Sequence, residues 1–382
     1  MKPPLNLSTK VYFKNIDALR FWAFLAVFIS HMFVANNLNY ISLIIDIQHY
    51  LSFYSLLAIS FFFTLSGFLI TWIILTEVKS ENTFYLKKFY IRRSLRIWPL
   101  YFLIVGIGYG LVYILHQKNI NTAALPEIYW FLSFTINFYL GYINDNILFF
   151  LTFLWTIAVE EQFYLFWGAC MYYFHRNIKR IIVLLLAGYG IYSILCISGL
   201  LQLVYFNSLN YIIYFTNGIS LAYVCFNHNK FFQLLNKLSP LFWKLFYTVF
   251  FVSIFVFRSH QLSDTLYVLR QAFFAGCFFM ILYDQCFNTA SVFNAGFNRV
   301  INYLGKISYG LYCWHGLAIT VILKSSILLR IQESNITIFI IYPLISLLFT
   351  IGVSAICYEL FERKFLKLKH YFSAPIQSRH EH

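Results

Sequence analysis

Charge is what this chain has least of. Only 11% of its 382 residues are Asp, Glu, Lys or Arg, and 14 of these are acidic against 28 basic. So few charges cannot cover a soluble domain of this size, least of all when 60% of the residues are hydrophobic, 22% are aromatic and the mean hydropathy is +0.70. Paired cysteines are missing as well. Cys170, Cys196, Cys225, Cys277, Cys286, Cys313 and Cys357 lie mostly inside apolar runs with no CxxC spacing, which excludes a zinc knuckle or a dithiol redox centre and leaves them as small core residues. No metal site is expected. No repeat, Ser/Pro linker or low-complexity tract divides the chain. No small-residue cleavage pattern follows the polar, basic start Met1 to Asn15, so the first apolar run is expected to stay in the protein. The formal charge of +14 is spread between apolar segments and forms no separate basic domain, which argues against nucleic acid as a partner and for membrane lipids.

What is present is a series of apolar stretches of spanning length, near residues 16–35, 50–75, 98–115, 150–174, 181–201, 210–226, 241–257, 265–286, 301–323 and 336–360. The fold class is therefore all-α, a polytopic membrane protein with about ten transmembrane helices and both termini on one side. Placing the termini in the cytoplasm puts 20 Lys and Arg in the inner segments and 4 in the outer ones, which obeys the positive-inside rule. Ile128 to Tyr142 is apolar but short for a crossing, and counting it as a span would move the basic loop His175 to Arg180 outside; it is expected to be interfacial or re-entrant. The chain reads as a single membrane domain over 1–382 with a core of about 15–365, short cytoplasmic tails and no fused soluble domain, in the cytoplasmic (inner) membrane of a bacterium.

Ionisable residues inside such segments are costly and mark candidate chemistry. In the first span Asp17, Arg20 and His31 occur in DALRFWAFLAVFISH, and the eleven-residue step from Arg20 to His31 is about 16 Å along a helix. A buried neutral imidazole can take a proton from a hydroxyl or attack an acyl group; the alternative is a histidine bonded to a neighbouring helix. FYLKKFYIRRSLRIWP carries Arg92 and Arg93 four and three residues before Arg96, a face able to fork onto phosphates or, more simply, to lie on anionic lipid. Pro99 is expected in the first turn of the third span. WTIAVEEQFYLFW sets Glu160 and Glu161 side by side near mid-membrane, either lining a polar cavity or protonated and hydrogen-bonded. LGKISYGLYCWHG puts Ser308, Tyr312 and His315 on one face, beside Tyr309. Ser66 and Gly67 in SFFFTLSGFLI, and the GIGYG of residues 106–110, are expected to let helices pack closely.

Taken together, these segments resemble the acyltransferase 3 family of integral membrane acyltransferases, over roughly residues 15–365. The matching runs are DALR followed by His31 after ten residues, SFFFTLSGFLI, RRSLRIWPLY, WTIAVEEQFYLFW, LGKISYGLYCWH and the closing YELFER, in the family's order. The resemblance implies an O-acyltransferase with acyl-CoA as donor, usually acetyl-CoA. It places His31 in the catalytic position, with Arg93 and Arg96 serving the donor and Arg92 beside them. Two departures stand out: Glu362, Arg363, Lys364 replace a common Glu-x-Pro, and Ala158 replaces a common serine. Glu160 or Glu161 is expected to orient His31, and Arg20, Asp17, Ser66, Tyr309 and His315 to support the site, along one continuous path from the arginines to the imidazole. The expected acceptor is a glycan or lipid-linked sugar, with lipopolysaccharide O-antigen first. Peptidoglycan, exopolysaccharide, a lipid-linked intermediate and a secondary metabolite are the other acceptors. A transporter or flippase using the same charges is the rival, although no inverted pair of halves is visible.

Overall fold

A computed structural model describes residues 13–35, 42–120, 125–143, 147–227, 230–258, 262–288, 291–329, 331 and 334–372. The described residues form helices joined by short connections, with no strand among them, as the composition requires. A backbone in hydrocarbon must satisfy its N–H and C=O groups within its own segment, and the α-helix does so. The principal helices are α1 (Lys14–Ala35), α2 (Ser42–Glu81), α3 (Leu86–Gln117), α4 (Tyr129–Leu132), α5 (Ile136–Tyr142), α6 (Phe149–Thr152), α7 (Trp155–Phe174), α8 (Ile178–Ile197) and α9 (Ile212–Phe226). They continue as α10 (Lys230–Leu235), α11 (Pro240–Val256), α12 (Asp264–Phe287), α13 (Arg299–Lys306), α14 (Ser308–Leu328), α15 (Tyr342–Cys357) and α16 (Arg363–Leu368), with π-helical turns at Thr337–Ile341 and Tyr358–Glu362 around α15.

Eight helical stretches among the described residues are long and apolar enough to cross a membrane. One of them, Phe149–Ile197, contains both α7 and α8 folded about a short 3-10 turn, and α11 is an apolar helix of 17 residues. Each of the ten expected spans is thus found as a helix. Three boundaries differ. The arginine-rich segment and the third span are one continuous helix, α3, so Pro99 lies in its interior and not in its first turn. Proline removes one helical donor there, and two residues earlier the Tyr309 hydroxyl donates to the Ile97 carbonyl (2.7 Å), tying α14 to α3 at this weakened turn. The ninth span breaks at Ile307 into α13 and α14. The fourth is preceded by the separate turn α6.

Residues 128–142 form the broken pair α4 and α5, with Phe134 at φ 55° between them. The break leaves backbone carbonyls without helical partners. Gln162 of α7 donates to the Phe134 carbonyl (2.7 Å) and to Asn137 Oδ1 (2.8 Å), and Asn137 donates to the Phe206 carbonyl (3.1 Å). This is how irregular backbone is held inside a helical bundle, and it fits the re-entrant or interfacial expectation.

The core is α1 and α2 packed with α9, α13 and α14. Without a hydrophobic drive between helices in lipid, close approach depends on small residues. Gly67 and Gly218 meet where α2 crosses α9: a side chain at Gly67 would run into the Phe215 carbonyl, and one at Gly218 into the Thr64 carbonyl. Gly305 of α13 sits in the same way on the Asp17 carbonyl of α1. The GIGYG glycines do otherwise. Gly106 and Gly110 face open space, and only Gly108 between them packs, against Leu151. The crossings fix the two ends of the bundle. Asn15 reaches Gln285 and Arg92 reaches the Phe372 carbonyl at one end, which also holds Arg20, Arg93 and Arg96 and is called the arginine end below.

Gly218→Ala is expected to destabilise the protein by about 1–3 kcal/mol through overpacking, and Gly106→Ala to be neutral or slightly stabilising by helix propensity. Thermal unfolding of both variants in detergent checks this.

Candidate active site

A cavity of about 110 Å³ opens among α1, α2, α3, α7 and α14 near the arginine end. Its polar lining comes from Arg20, Ser66, Arg93, Arg96, Thr156, Glu160, Tyr164, Ser308, Tyr309 and Tyr312. Three guanidinium groups thus face one carboxylate. Arg20 is steadied by its neighbour one turn back, its Nη1 donating to Asp17 Oδ1 at 3.1 Å. Arg93 lies over the rings of Phe89 and Tyr164, at 6.0 and 5.8 Å from their centroids. Among the described residues neither Arg93 nor Arg96 spends a donor on a protein acceptor, so the forks of both are open to a guest.

Arg92 is a different case. Arg92 is buried, forms an ion pair with the equally buried Glu77 of α2 and donates to the Phe372 carbonyl at 2.9 Å. It does not line the cavity, so its expected place among the donor-binding residues is corrected: its guanidinium is committed to Glu77 and Phe372, while Arg93, about 100° further around α3, faces the cavity with Arg96. Glu77 also accepts from the Tyr85 amide at 3.2 Å, and so closes the turn between α2 and α3.

The same angular step separates the adjacent carboxylates. Glu160 turns to α2, where Ser66 Oγ donates at 2.6 Å, and Tyr164 Oη, one turn along α7, donates at 3.1 Å. Glu161 turns to α3, accepts from Trp98 Nε1 at 2.9 Å, and keeps its other oxygen, Oε1, buried with no hydrogen-bond partner. Neither carboxylate bonds His31, so the expectation that one of them orients the imidazole is corrected. The ring of His31 instead bonds His315, Nδ1 to Nε2 at 2.9 Å, and has Ser55 Oγ 3.4 Å from Nε2. Phe153 stacks on it, with centroids 3.8 Å apart and planes within 14°.

The expected continuous path is met only in part. The cavity lining ends at Thr156 and Tyr312 and does not include His31. Tyr312 is the shared wall: it lines the cavity on one side, and its ring centroid lies 5.4 Å from that of His315 on the other. Thr156 Oγ1 donates to the Tyr312 hydroxyl at 2.8 Å, which donates on to the Phe153 carbonyl at 3.2 Å, so this wall is pinned at its tip. The Ser308, Tyr312 and His315 face is borne out geometrically, with Ser308, Tyr309 and Tyr312 on the cavity and His315 beyond it.

Sequence reasoning passed over Tyr164, Trp98, Glu77 and Ser55. Tyr164 carried a local signal, standing four residues after Glu160 on the same helical face. The other three depend on contacts between helices. Glu362, from the closing YELFER, is buried in the π-helical turn with Oε1 without a hydrogen-bond partner, and any side chain at Gly310 would press on that oxygen.

A family model for the acyltransferase domain, acyltransferase 3, matches residues 13–359. The chain is 25% identical over 354 residues to the peptidoglycan O-acetyltransferase OatA of Listeria monocytogenes, covering 88% of this chain and 53% of that protein. It is 32% identical over 131 residues to an uncharacterised protein of Haemophilus influenzae, covering 32% of this chain and 52% of the other. The chain spans about half the length of these relatives. No solved structure matches it.

Arg92→Ala leaves Glu77 charged and unpaired, and is expected to cost about 3–5 kcal/mol of stability. Arg93→Ala and Arg96→Ala remove no such partner and are expected to unfold close to the wild-type temperature. Unfolding of the three variants side by side separates the structural arginine from the two on the cavity.

Proposed function

The chain belongs to the acyltransferase 3 family, whose domain spans residues 13–359, and on that premise we propose that it is a membrane O-acetyltransferase taking its acyl group from acetyl-CoA. The observation that carries this reading is a cavity lined by Arg20, Arg93 and Arg96 that ends one side chain away from the His31–His315 pair. A net excess of guanidinium with uncommitted donors suits a polyanion, and the phosphates of CoA are one. A cavity of about 110 Å³ suits a small group such as a thioester head, and on this reading the bulkier nucleotide stays outside on Arg93 and Arg96. The basic segments cluster at this end, so the positive-inside rule supports a cytoplasmic mouth, where acyl-CoA is made.

In this reaction the acceptor hydroxyl gives its proton to the His31 imidazole while its oxygen attacks the thioester carbonyl carbon. The C–S bond breaks, sulfur leaves with the electron pair, and the imidazolium returns the proton to it. The products are the ester and the free CoA thiol, with His31 neutral again. The Tyr312 ring, the wall between the cavity and the histidine pair, must turn aside for the thioester to reach the imidazole. Glu160, held by Ser66 and Tyr164, sits among the arginines and offsets part of their mutual repulsion.

For the acceptor, the named activity of the Listeria relative supports a cell-envelope glycan and puts peptidoglycan ahead of the lipopolysaccharide O-antigen expected from the family resemblance. Mass spectrometry of envelope glycans with and without the gene should show acetyl groups gained on muropeptides; a gain on the O-antigen alone would exchange the acceptor. His31→Ala should lower transfer by about 10²–10⁴-fold, the usual worth of a general base, while the protein still inserts; retained transfer overturns the reading. Release of CoA by the purified protein marks the enzyme, and solute uptake into vesicles without CoA release marks a flippase instead.

A further inference from the structure

Two hydrogen bonds settle which nitrogens of the histidine pair carry protons. His315 Nδ1 lies 2.5 Å from the Tyr312 carbonyl oxygen. A carbonyl can only accept, so Nδ1 of His315 bears the hydrogen, and the neutral ring then presents a bare Nε2. That nitrogen lies 2.9 Å from His31 Nδ1, and a bond between them requires His31 Nδ1 to be the donor. The neutral His31 ring is left with its lone pair on Nε2, the atom on the Ser55 side. Each assignment forces the next, from a backbone carbonyl of α14 to the far nitrogen of α1.

We infer that His315 is a positioning residue for acyl transfer, holding His31 in the Nδ1–H tautomer so that Nε2 is the atom that takes the acceptor proton. The inference rests on the catalytic reading of His31 proposed above. In hydrolases a carboxylate does this work, accepting from the base and stabilising its cation. Here a second imidazole accepts, and it is itself fixed by a main-chain oxygen that cannot titrate or rotate away. A carboxylate buried at this depth would carry a charge, or a proton of its own, into a pocket built of Phe24, Phe153 and Tyr312. A neutral imidazole gives the same hydrogen-bond acceptance without that cost. When His31 becomes cationic during transfer, its Nδ1–H bond to His315 becomes charge-assisted and tightens.

The packing is arranged to hold this geometry. His315 is fully buried. The next residue is Gly316, where an added Cβ would lie 2.8 Å from Phe153 ring atoms and 2.9 Å from the Phe150 Cα. The missing side chain therefore lets α14 lie directly against the α6–α7 corner. Phe153, brought in by that contact, stacks on the His31 ring and fixes its plane, so the direction of Nε2 follows from the tautomer and the stack together.

The test compares His315→Gln with His315→Leu in the full chain, in native membranes with radiolabelled acetyl-CoA. The Gln side chain places Oε1 near the position of His Nε2 and still accepts from His31 Nδ1. It is expected to keep transfer within about tenfold of wild type. His315→Leu is expected to lower kcat by up to about 10⁴-fold, the loss seen when a base is left in the wrong tautomer, with the KM for acetyl-CoA unchanged. Solid-state nitrogen NMR of histidine-labelled protein should show His31 as the Nδ1–H form in wild type and His315→Gln, and as a mixture in His315→Leu. A His31 protonated at Nε2 in wild type, or a His315→Leu protein with normal kcat, overturns the inference, as does a folded His315→Gln protein as inactive as the Leu variant. The tautomer is read without turnover, so active His31→Ala protein would defeat the catalytic reading while leaving the assignment of hydrogens to be judged on the spectrum.

Discussion

A polar group in the hydrocarbon core has no water to turn to, and the arrangement of this bundle follows from how each such group finds its partner within the protein. His31 finds His315, His315 finds a carbonyl of its own helix, and the pair binds α1 to α14. Arg92 and Glu77 find each other and bind α3 to α2. Glu160 finds Ser66 and Tyr164 and binds α7 to α2. Gln162 finds the loose Phe134 carbonyl of the broken helix pair, and Asn137 of that pair finds the Phe206 carbonyl. Each bond is worth about a kilocalorie in hydrocarbon, but leaving its group bare costs several times that. The register of one helix against another is set more by these pairs than by the apolar surfaces around them, which slide with little change in energy.

The paired charges of the sequence are sorted by a single geometric fact, the step of about 100° between neighbours on a helix. Arg92 and Arg93 are adjacent, and one is locked into structure while the other faces the cavity. Glu160 and Glu161 are adjacent, and one joins the cavity while the other is held by Trp98 against α3. In both pairs the residue turned away from the cavity is the one held by a neighbouring helix, Arg92 by Glu77 of α2 and Glu161 by Trp98 of α3. A doubled charge in a span is therefore two statements, one about the site and one about what holds it.

Much of this was legible in the chain. The all-α class and the run of apolar helices come from length and hydropathy, and Arg20, Arg93, Arg96, Glu160 and Ser66, grouped through the family resemblance, all line one cavity. What escaped was phase and long-range pairing. The i, i+3 and i, i+4 rule puts Arg92, Arg93 and Arg96 on one broad face, but only Glu77, on the preceding helix, decides which of them leaves it. The bond between His31 and His315 joins residues 284 positions apart. Nothing local to either marks it, and an intramembrane carboxylate looked the better partner on charge alone. Pro99 read as a helix start because proline favours that position. It lies mid-helix because α3 runs on from the arginine segment without a break.

The cavity itself carries an imbalance that the protein does not resolve. Arg20 has Asp17, and Glu160 stands among the guanidinium groups, but Arg93 and Arg96 are left with their donors uncommitted at the edge of a low-dielectric interior. Two like charges so placed repel more strongly than they would in water, because the surrounding medium screens them less. A bundle able to spend those donors on its own carboxylates, as it does with Arg92, has not done so here, although Glu161 and Glu362 each keep a buried oxygen without a hydrogen bond close by. On the function proposed above, an arriving phosphate relieves this repulsion. That relief comes only at the arginine end, because the far wall at Tyr312 is aromatic and its one hydroxyl is already engaged by Thr156 and Phe153. On the function proposed above, charge holds the guest at the mouth, and the histidine pair behind the wall acts on whatever uncharged part of it reaches through.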